Sequence, residues 1–314
     1  VPVKPPAEVD LTTDLVRALL ADQHPDLAAL PLRLAAHGWD NATFRLGDDL
    51  AVRLPRREVA AHLVEHEQRW LPTLAALCPV PVPAPVRVGR PSGRFGWAWS
   101  VVPWLAGAPA ATQPVPDRTP WAPALAAALD ALHVPAPAGA PVNPFRGGAL
   151  AGRTAAFRER LAAGHLDAAF RAASGADTSA ADGRQRLETL WHDALAAPAW
   201  PGPLVWLHGD PHPANLVVAG NRLTGLLDFG DLTAGDPACD HATAWLTFDV
   251  AGRTAFRDHV DTHADARGPL DPGRWRRAAG WALVMASALV THGDDDPVVA
   301  AAGTHAITEL LREA

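Results

Sequence analysis

The stretch LHGDPHPANLVV, residues 207–218, followed by GLLDFGDL, residues 225–232, decides how the rest of the chain is read. It concentrates His208, Asp210, His212, Asn215, Asp228 and Asp231, more polar groups than a structural turn needs. The two histidines stand four apart, as zinc ligands do on a helix. Pro211 and Pro213 exclude a helix there, and no nearby cysteine or glutamate completes a zinc set. Asp210, Asn215 and Asp228 are hard oxygen donors of the kind that hold Mg²⁺ together with substrate phosphates. Alone, an Asp-Asn-Asp set also serves to cap loops, so the surrounding pattern has to decide.

Working outward, three short apolar runs, Leu204 to Leu207, Leu216 to Val218 and Leu223 to Leu227, are separated by turn formers and predict a small β insert. Around it, everything after Pro103 reads as Ala/Leu-rich helix: Trp121 to His133, Arg153 to Leu161, Arg184 to Leu195, Asp240 to Val250, Arg274 to Val290 and Val298 to Arg312. Before Pro103 the character differs. A Thr12/Thr13 cap opens a helix to about Leu20, and alternating segments at Leu32 to Ala36, Thr43 to Leu46 and Leu50 to Leu54 predict strands, the last two joined through Gly47-Asp48-Asp49. Glu58 to Leu77 is helical in period, with Leu63, Trp70 and Leu74 on one face. CPVPVPAPV, residues 78–86, is too rich in proline for helix, and Trp97 to Val102 reads as a buried strand. The pattern is that of an α+β chain without internal repeats, with a strand-rich part over residues 1–103 and a mostly helical part over 104–314.

Composition sets the class. Lys and Arg total 27 against 34 Asp and Glu, a net charge of −7, and 48% of residues are hydrophobic, enough for a sizeable core in about two domains. There is no tyrosine, and Ile307, Met285 and Lys4 are each the sole residue of their type. Codon bias toward Ala, Arg, Gly and Pro accounts for this, and it means that arginine must do any work that lysine normally does. Apolar stretches such as Trp281 to Val290 fall short of the ~18 residues that cross a bilayer. The first twenty residues, in a chain that starts at Val1, show no secretory signal. Cys78 and Cys239 share no motif and read as reduced thiols, so a cytoplasmic protein is expected. No basic cluster exceeds Arg56-Arg57 or Arg276-Arg277, which argues against nucleic-acid partners. A monomer or homodimer, with neither membrane nor nucleic acid as partner, is the expectation.

HGDPHPAN followed by LLDFGD resembles the aminoglycoside phosphotransferase and choline kinase superfamily, relatives of protein kinases, whose motifs read HGDxHxxN and [IVL]-D-[WF]-[GE]. Both elements occur in order, with thirteen positions from Asn215 to Asp228. The resemblance implies a bilobal protein-kinase-like fold, with a small N-lobe of antiparallel sheet plus helix and a larger, mostly helical C-lobe carrying a short β-hairpin insert. It implies transfer of the γ-phosphate of ATP, with GTP as the alternative, in the presence of Mg²⁺. Asp210 would accept or orient the proton of the attacking hydroxyl. Asn215 and Asp228 would hold Mg²⁺, and His208 would brace the loop. GDPACDHA, residues 235–242, resembles the family's GDP-x-x-D, so Asp240 would anchor the catalytic loop and Asp236 would do likewise or face substrate.

Phosphoryl transfer also needs a cation on the phosphates. Relatives commonly place a lysine on the third strand, where this chain has AVRLP, residues 51–55, and so offers Arg53. Glu67 falls on the same helical face as Leu63, Trp70 and Leu74, an apolar stripe where an unpaired charge is costly, and is the expected partner of Arg53, against a bland reading of a solvated Glu at the stripe's edge. HGWDNATFRL, residues 37–46, has one glycine rather than GxGxxG and resembles the superfamily's G-x-x-N-x-x-[YF]-R turn, which makes Gly38, Asn41 and Thr43 candidate nucleotide contacts. VVPWLAG, residues 101–107, would be the hinge, with Trp104 flanking the base.

The acceptor is the least specified part. Asp294, Asp295 and Asp296 in THGDDDP, with Asp231 and Asp236, would line an acidic pocket for a cationic acceptor such as an aminoglycoside, against a bland reading of helix capping. A neutral or zwitterionic acceptor would draw on Trp245, Trp275 and Trp281. A macrolide kinase, or a metabolic kinase for an amino alcohol, sugar or amino acid, is the alternative within the superfamily. A metallophosphoesterase would need a DxH ahead of the Gly-Asp, whereas the nearby Asp261 to His263 comes after it. A non-catalytic nucleotide-binding protein has no need of Asp210, Asn215 and Asp228 together.

Overall fold

The computed structural model describes residues 5–174, 180–264, 270–293 and 296–313. The chain divides into two compact units: residues up to 106 with 225–230, and residues 107–224 with those from 231 onward.

In the first unit, α1 (Thr13–Gln23) starts at Thr12, whose hydroxyl accepts from the Leu15 amide at 3.1 Å, and buries Val16, Leu19 and Leu20. Strands β1 (Leu32–His37), β2 (Asn41–Leu46) and β3 (Leu50–Pro55) precede α2 (Glu58–Ala75), and β4 (Arg87–Gly89) and β5 (Trp99–Pro103) follow. They form one antiparallel sheet in the order β1-β2-β3-β5-β4. The tight β2–β3 turn depends on Gly47 at φ 59°. On β3, Val52 stands opposite Phe44 and Val101 in the apolar core, while the next residue, Arg53, stands opposite Thr43 and Ser100. Alternation along the strand thus separates a greasy face from a polar one.

Helix α2 is rotated relative to the sequence expectation. Its buried stripe is Ala60, Val64, Glu67, Leu71 and Leu74, with Leu63 and Trp70 only half-buried. Glu67 lies on the buried stripe, as expected, and at its centre, so its carboxylate must be paired.

The second unit opens with β6 (Ala108–Pro109), followed by α3 (Ala122–Leu132), α4 (Thr154–Ala162), α5 (Asp167–Ser174) and α6 (Ala180–Leu195). Then come β7 (Val205–Leu207), β8 (Leu216–Ala219), β9 (Arg222–Leu226) and β10 (Thr233–Gly235). The unit ends in α7 (Ala238–His241), α8 (Thr243–Thr247), α9 (Val250–Ala264), α10 (Arg274–His292) and α11 (Pro297–Glu313). β6-β8-β9 form one small sheet, and β7 pairs antiparallel with β10, Leu207 opposite Thr233.

The helix expected over Asp240 to Val250 is instead two short helices, and a fifteen-residue α9 begins where it was expected to end. The α9 sequence mixes Gly252, arginines, aspartates and histidines, and Phe256 and Val260 are its only deeply buried apolar side chains among the described residues, too thin a stripe to announce a helix. Helices α10 and α11 pack closely through Gly303, where a Cβ would meet the Ala286 carbonyl oxygen at 2.8 Å. No helix among the described residues is long and apolar enough to cross a membrane.

A buried ion pair ties α9 to α11. Arg253, 2% exposed, donates to Glu309 Oε2 at 2.9 Å and to Glu313 Oε1 at 2.8 Å, and Glu309 also pairs with Arg312. Glu309→Ala leaves the buried guanidinium with one partner and is expected to cost about 3 kcal/mol. The measurement is the urea midpoint, which should fall at unchanged slope.

Candidate functional site

The loop after β7 is built around one carboxylate. Asp240, fully buried near the start of α7, accepts from the His208 amide on Oδ2 and from the Gly209 amide on Oδ1, both at 2.8 Å. His133, just after α3, meets Oδ2 at 3.1 Å through Nε2. Burial alone would raise the Asp240 pKa, but the His133 contact and the amide donors bring it below the ordinary carboxylate range. Gly209 makes the turn possible: it sits at φ 90°, and a Cβ there would lie 2.3 Å from the Asp231 carbonyl oxygen. The His208 ring is buried and accepts from the Asp210 amide at 3.3 Å, a bracing contact.

Asp210 emerges from this loop with both carboxylate oxygens engaged. Oδ1 accepts from Arg146 Nη2 at 3.1 Å, and Oδ2 lies 3.4 Å from His212 Nε2. Burial would raise its pKa, but the Arg146 guanidinium first, and His212 second, hold it well below the usual range. The residue stays ionised and is a weak base. Asn215 ends the short turn that His212 caps. Its amide nitrogen donates to the Asp210 carbonyl at 3.0 Å, which leaves its side-chain oxygen as the acceptor for a ligand.

Arg146 is the residue that sequence reading passed over. It lies in the irregular stretch between α3 and α4 and donates to the Gly209 carbonyl at 2.8 Å, with Asp231 Oδ2 a further 3.4 Å contact. Burial would lower its pKa, yet Asp210 and Asp231 together raise it. One signal was present: Arg146 is the only cation between Arg118 and Arg153.

The first unit supplies a second set. Arg53 Nη1 donates to both oxygens of Glu67 at 3.0 Å, and Nη2 reaches Asp228 Oδ1 at 3.4 Å. Burial pushes the Glu67 carboxyl up and Arg53 offsets that only in part, so it stays above the ordinary range; for Arg53 the two carboxylates outweigh burial and raise the pKa. Asp228, its side chain 54% exposed, is the one non-glycine among the described residues with positive φ, at 58°, a conformation Asp tolerates better than most. Its second carboxylate oxygen is used by neither Arg53 nor the Gly230 amide. Hard oxygens on Asp228 and Asn215 fit Mg²⁺ chemistry.

Arg56 and Arg45 are spent elsewhere. Arg56 donates to the Gly38 and Trp39 carbonyls at 2.8 and 3.3 Å, which steadies the β1–β2 turn. Arg45 lies over the Trp104 ring at 4.7 Å, so one face of that ring is occupied. The Gly38 amide donates to the Asn41 carbonyl, the Asn41 side-chain oxygen is buried without a hydrogen bond, and Thr43 stands opposite Arg53.

The described acidic residues expected at the acceptor site, Asp231, Asp236 and Asp296, are committed within the fold. Asp231 accepts from the Asn143 amide nitrogen at 2.6 Å and meets Arg146. Asp236 is clamped by Arg277 at 2.6 and 3.1 Å, and it caps the Ala238 amide. Asp296 caps the first turn of α11 through the Val298 and Val299 amides. Asp294 and Asp295 lie outside the described residues. Trp245 and Trp281 are core residues, each 1% exposed. Burial raises the pKa of both thiols, Cys239 the more strongly, which disfavours the thiolate form.

Similarity to known proteins follows the same lines. No curated protein matches the sequence. Among solved structures, the GDP complex of aminoglycoside 2′-phosphotransferase-IIIa is 18% identical, with 96% of this chain and 99% of that one covered and a TM-score of 0.67. Macrolide 2′-phosphotransferase MphH from Brachybacterium faecium is 23% identical over 94% and 97%, with a TM-score of 0.58. The streptomycin–ATP ternary complex of APH(2″)-IIa is 17% identical over 92% and 93%, with a TM-score of 0.55. These likenesses establish the kinase-like fold. The model of the phosphotransferase enzyme family matches residues 31–281, which takes in Arg53, Glu67, the Asp210 loop and Asp228, and the chain belongs to that family.

Proposed function

We propose that this phosphotransferase moves the γ-phosphate of ATP to a hydroxyl of a small-molecule antibiotic, with Mg²⁺ as the metal and an aminoglycoside as the first acceptor to try. The observation that carries the reading is Asp210, a carboxylate held ionised and aimed by Arg146 and His212 beside the uncommitted oxygen of Asn215. The acceptor oxygen forms a bond to the γ-phosphorus, the bond from that phosphorus to the bridging oxygen of ADP breaks, and the hydroxyl proton passes toward Asp210. A loose transition state asks little of a base until late, so a weakly basic carboxylate suffices to orient the hydroxyl.

In this reading Arg53 meets the nucleotide phosphates with Nη2, its other nitrogen tethered by Glu67. Asn215 and Asp228 would hold Mg²⁺, which supplies charge neutralisation on the phosphates. Gly38, Asn41 and Thr43 would line the phosphate turn, with Trp104 beside the base. GTP belongs in the assay because one similar structure is a GDP complex.

The internal pairing of Asp231 and Asp236 removes part of the electrostatic case for a polycation and favours a second reading, a macrolide acceptor.

The deciding experiment mixes the protein with ATP or GTP, Mg²⁺ and a panel of aminoglycosides, macrolides, choline, homoserine and sugars, and follows nucleoside diphosphate release. Stimulation by an aminoglycoside is expected; stimulation by none of the panel would defeat the proposal. Asp210→Ala should lower kcat by about 10²–10⁴ with nucleotide affinity unchanged in calorimetry.

Arg53→Ala should raise the nucleotide KM at least about tenfold, the loss of a charged hydrogen bond, and leave the acceptor KM in place. In Arg146→Leu the burial that raises the Asp210 pKa meets less opposition, so the carboxyl protonates at higher pH. The acid limb of the kcat–pH profile should therefore lie at higher pH than in the wild type, whose Asp210 protonates only well below the usual carboxylate range.

A further inference from the structure

On the α7 side of Asp240 the structure holds a group that the phosphotransferase reading does not use. His241 is 3% exposed, and neither of its ring nitrogens makes a hydrogen bond among the described residues. Asp130 Oδ1 stands 3.9 Å from Nε2, beyond hydrogen-bond length. A buried imidazole whose polar neighbour, Asp130, stands beyond hydrogen-bond reach is costly, and such a site has room for a ligand between the two.

Two more donors converge on it. Asp130 and His133 are three apart at the end of α3, which puts them on one face, and the His133 ring meets His241 edge-on with centroids 5.3 Å apart. One ligand atom from each of Asp130, His133 and His241 can be chosen so that all lie within 4.8 Å of one another. Metal–ligand bonds of about 2.0–2.1 Å in a tetrahedron put donor atoms roughly 3.4 Å apart, so the 3.9 Å separation is about half an ångström from a coordinated pair.

We propose that Asp130, His133 and His241 bind one Zn²⁺ ion, with a water as fourth ligand. Two imidazoles and a carboxylate select a borderline divalent transition metal over Mg²⁺ or Ca²⁺. His133 Nε2 is already engaged with Asp240, so the metal must take Nδ1. That places the ring proton on Nε2, where it donates to Asp240, the carboxylate–histidine–metal arrangement in which the outer partner orients the ligand. Asp240 is the residue that holds the His208 and Gly209 amides, so the ion is a positioning element for the Asp210 loop.

The test uses the full chain without a histidine tag, stripped with a chelator and titrated with Zn²⁺ against a chromophoric competitor. One equivalent should bind, and Tm should rise with Zn²⁺. Co²⁺ in its place should show the visible bands of a tetrahedral site. Asp130→Asn, which keeps the side-chain shape, should weaken binding at least about tenfold and remove the cobalt bands; His241→Ala should do the same if its circular dichroism is native. Two further pairs, each with one exposed and one half-buried imidazole, His62 with His66 and His263 with His259, are the competing zinc sites among the described residues. Binding that survives Asp130→Asn but is lost in His62→Ala or His259→Ala overturns the proposal, as does a stripped wild type that takes up no zinc. Because the readout is metal binding, failure of the acceptor panel would leave this result standing.

Discussion

A carboxylate with no access to water governs the catalytic half of this protein. Asp240 can be charged inside the core only because two backbone amides and an imidazole converge on it. Those amides belong to His208 and Gly209, so the cost of burying the charge and the shape of the loop are one constraint. With the loop backbone fixed, Gly209 takes a conformation closed to other residues, and Asp210 emerges in one direction. Arg146 then binds the Gly209 carbonyl and the Asp210 carboxylate with the same guanidinium. Asp210, the acid that would meet the acceptor in the proposed reaction, is thus the last member of a chain of contacts that begins in the core.

Arginine carries the charge pairing throughout, in a sequence with one lysine. Arg53, Arg146, Arg253 and Arg277 are buried or nearly so, and each joins two carboxylates. A planar fork with five donors can bridge two acids where an ammonium would act as a point charge. Compositional bias and fold are compatible here because the forks replace single contacts with paired ones.

The sequence was most legible where chemistry and local geometry coincide. His208 to Asn215 and Asp228 sit within one short β insert, and proline, glycine and spacing limit what such a segment can do. The Arg53–Glu67 pair followed from a charge on an apolar stripe, although the stripe runs through Val64 and Leu71 rather than Leu63 and Trp70. Arg146 was not legible, because its partners lie more than sixty residues away and its loop has no period. Asp236 was left between anchoring the loop and facing substrate for the same reason: its partner Arg277 arrives from α10. Helix α9 was hidden by a polar sequence in which Phe256 and Val260 are the deeply buried apolar side chains and the buried Arg253 is paired with Glu309 and Glu313.

The guanidinium at position 53 has a consequence for handling the molecule. Reagents that acylate amines do not react with a protonated guanidinium, and the only lysine side chain in the sequence is Lys4. A dye, affinity handle or surface tether introduced through an activated ester therefore goes to Lys4 or the amino terminus, and the residues that face the nucleotide in the proposed reaction are left unmodified.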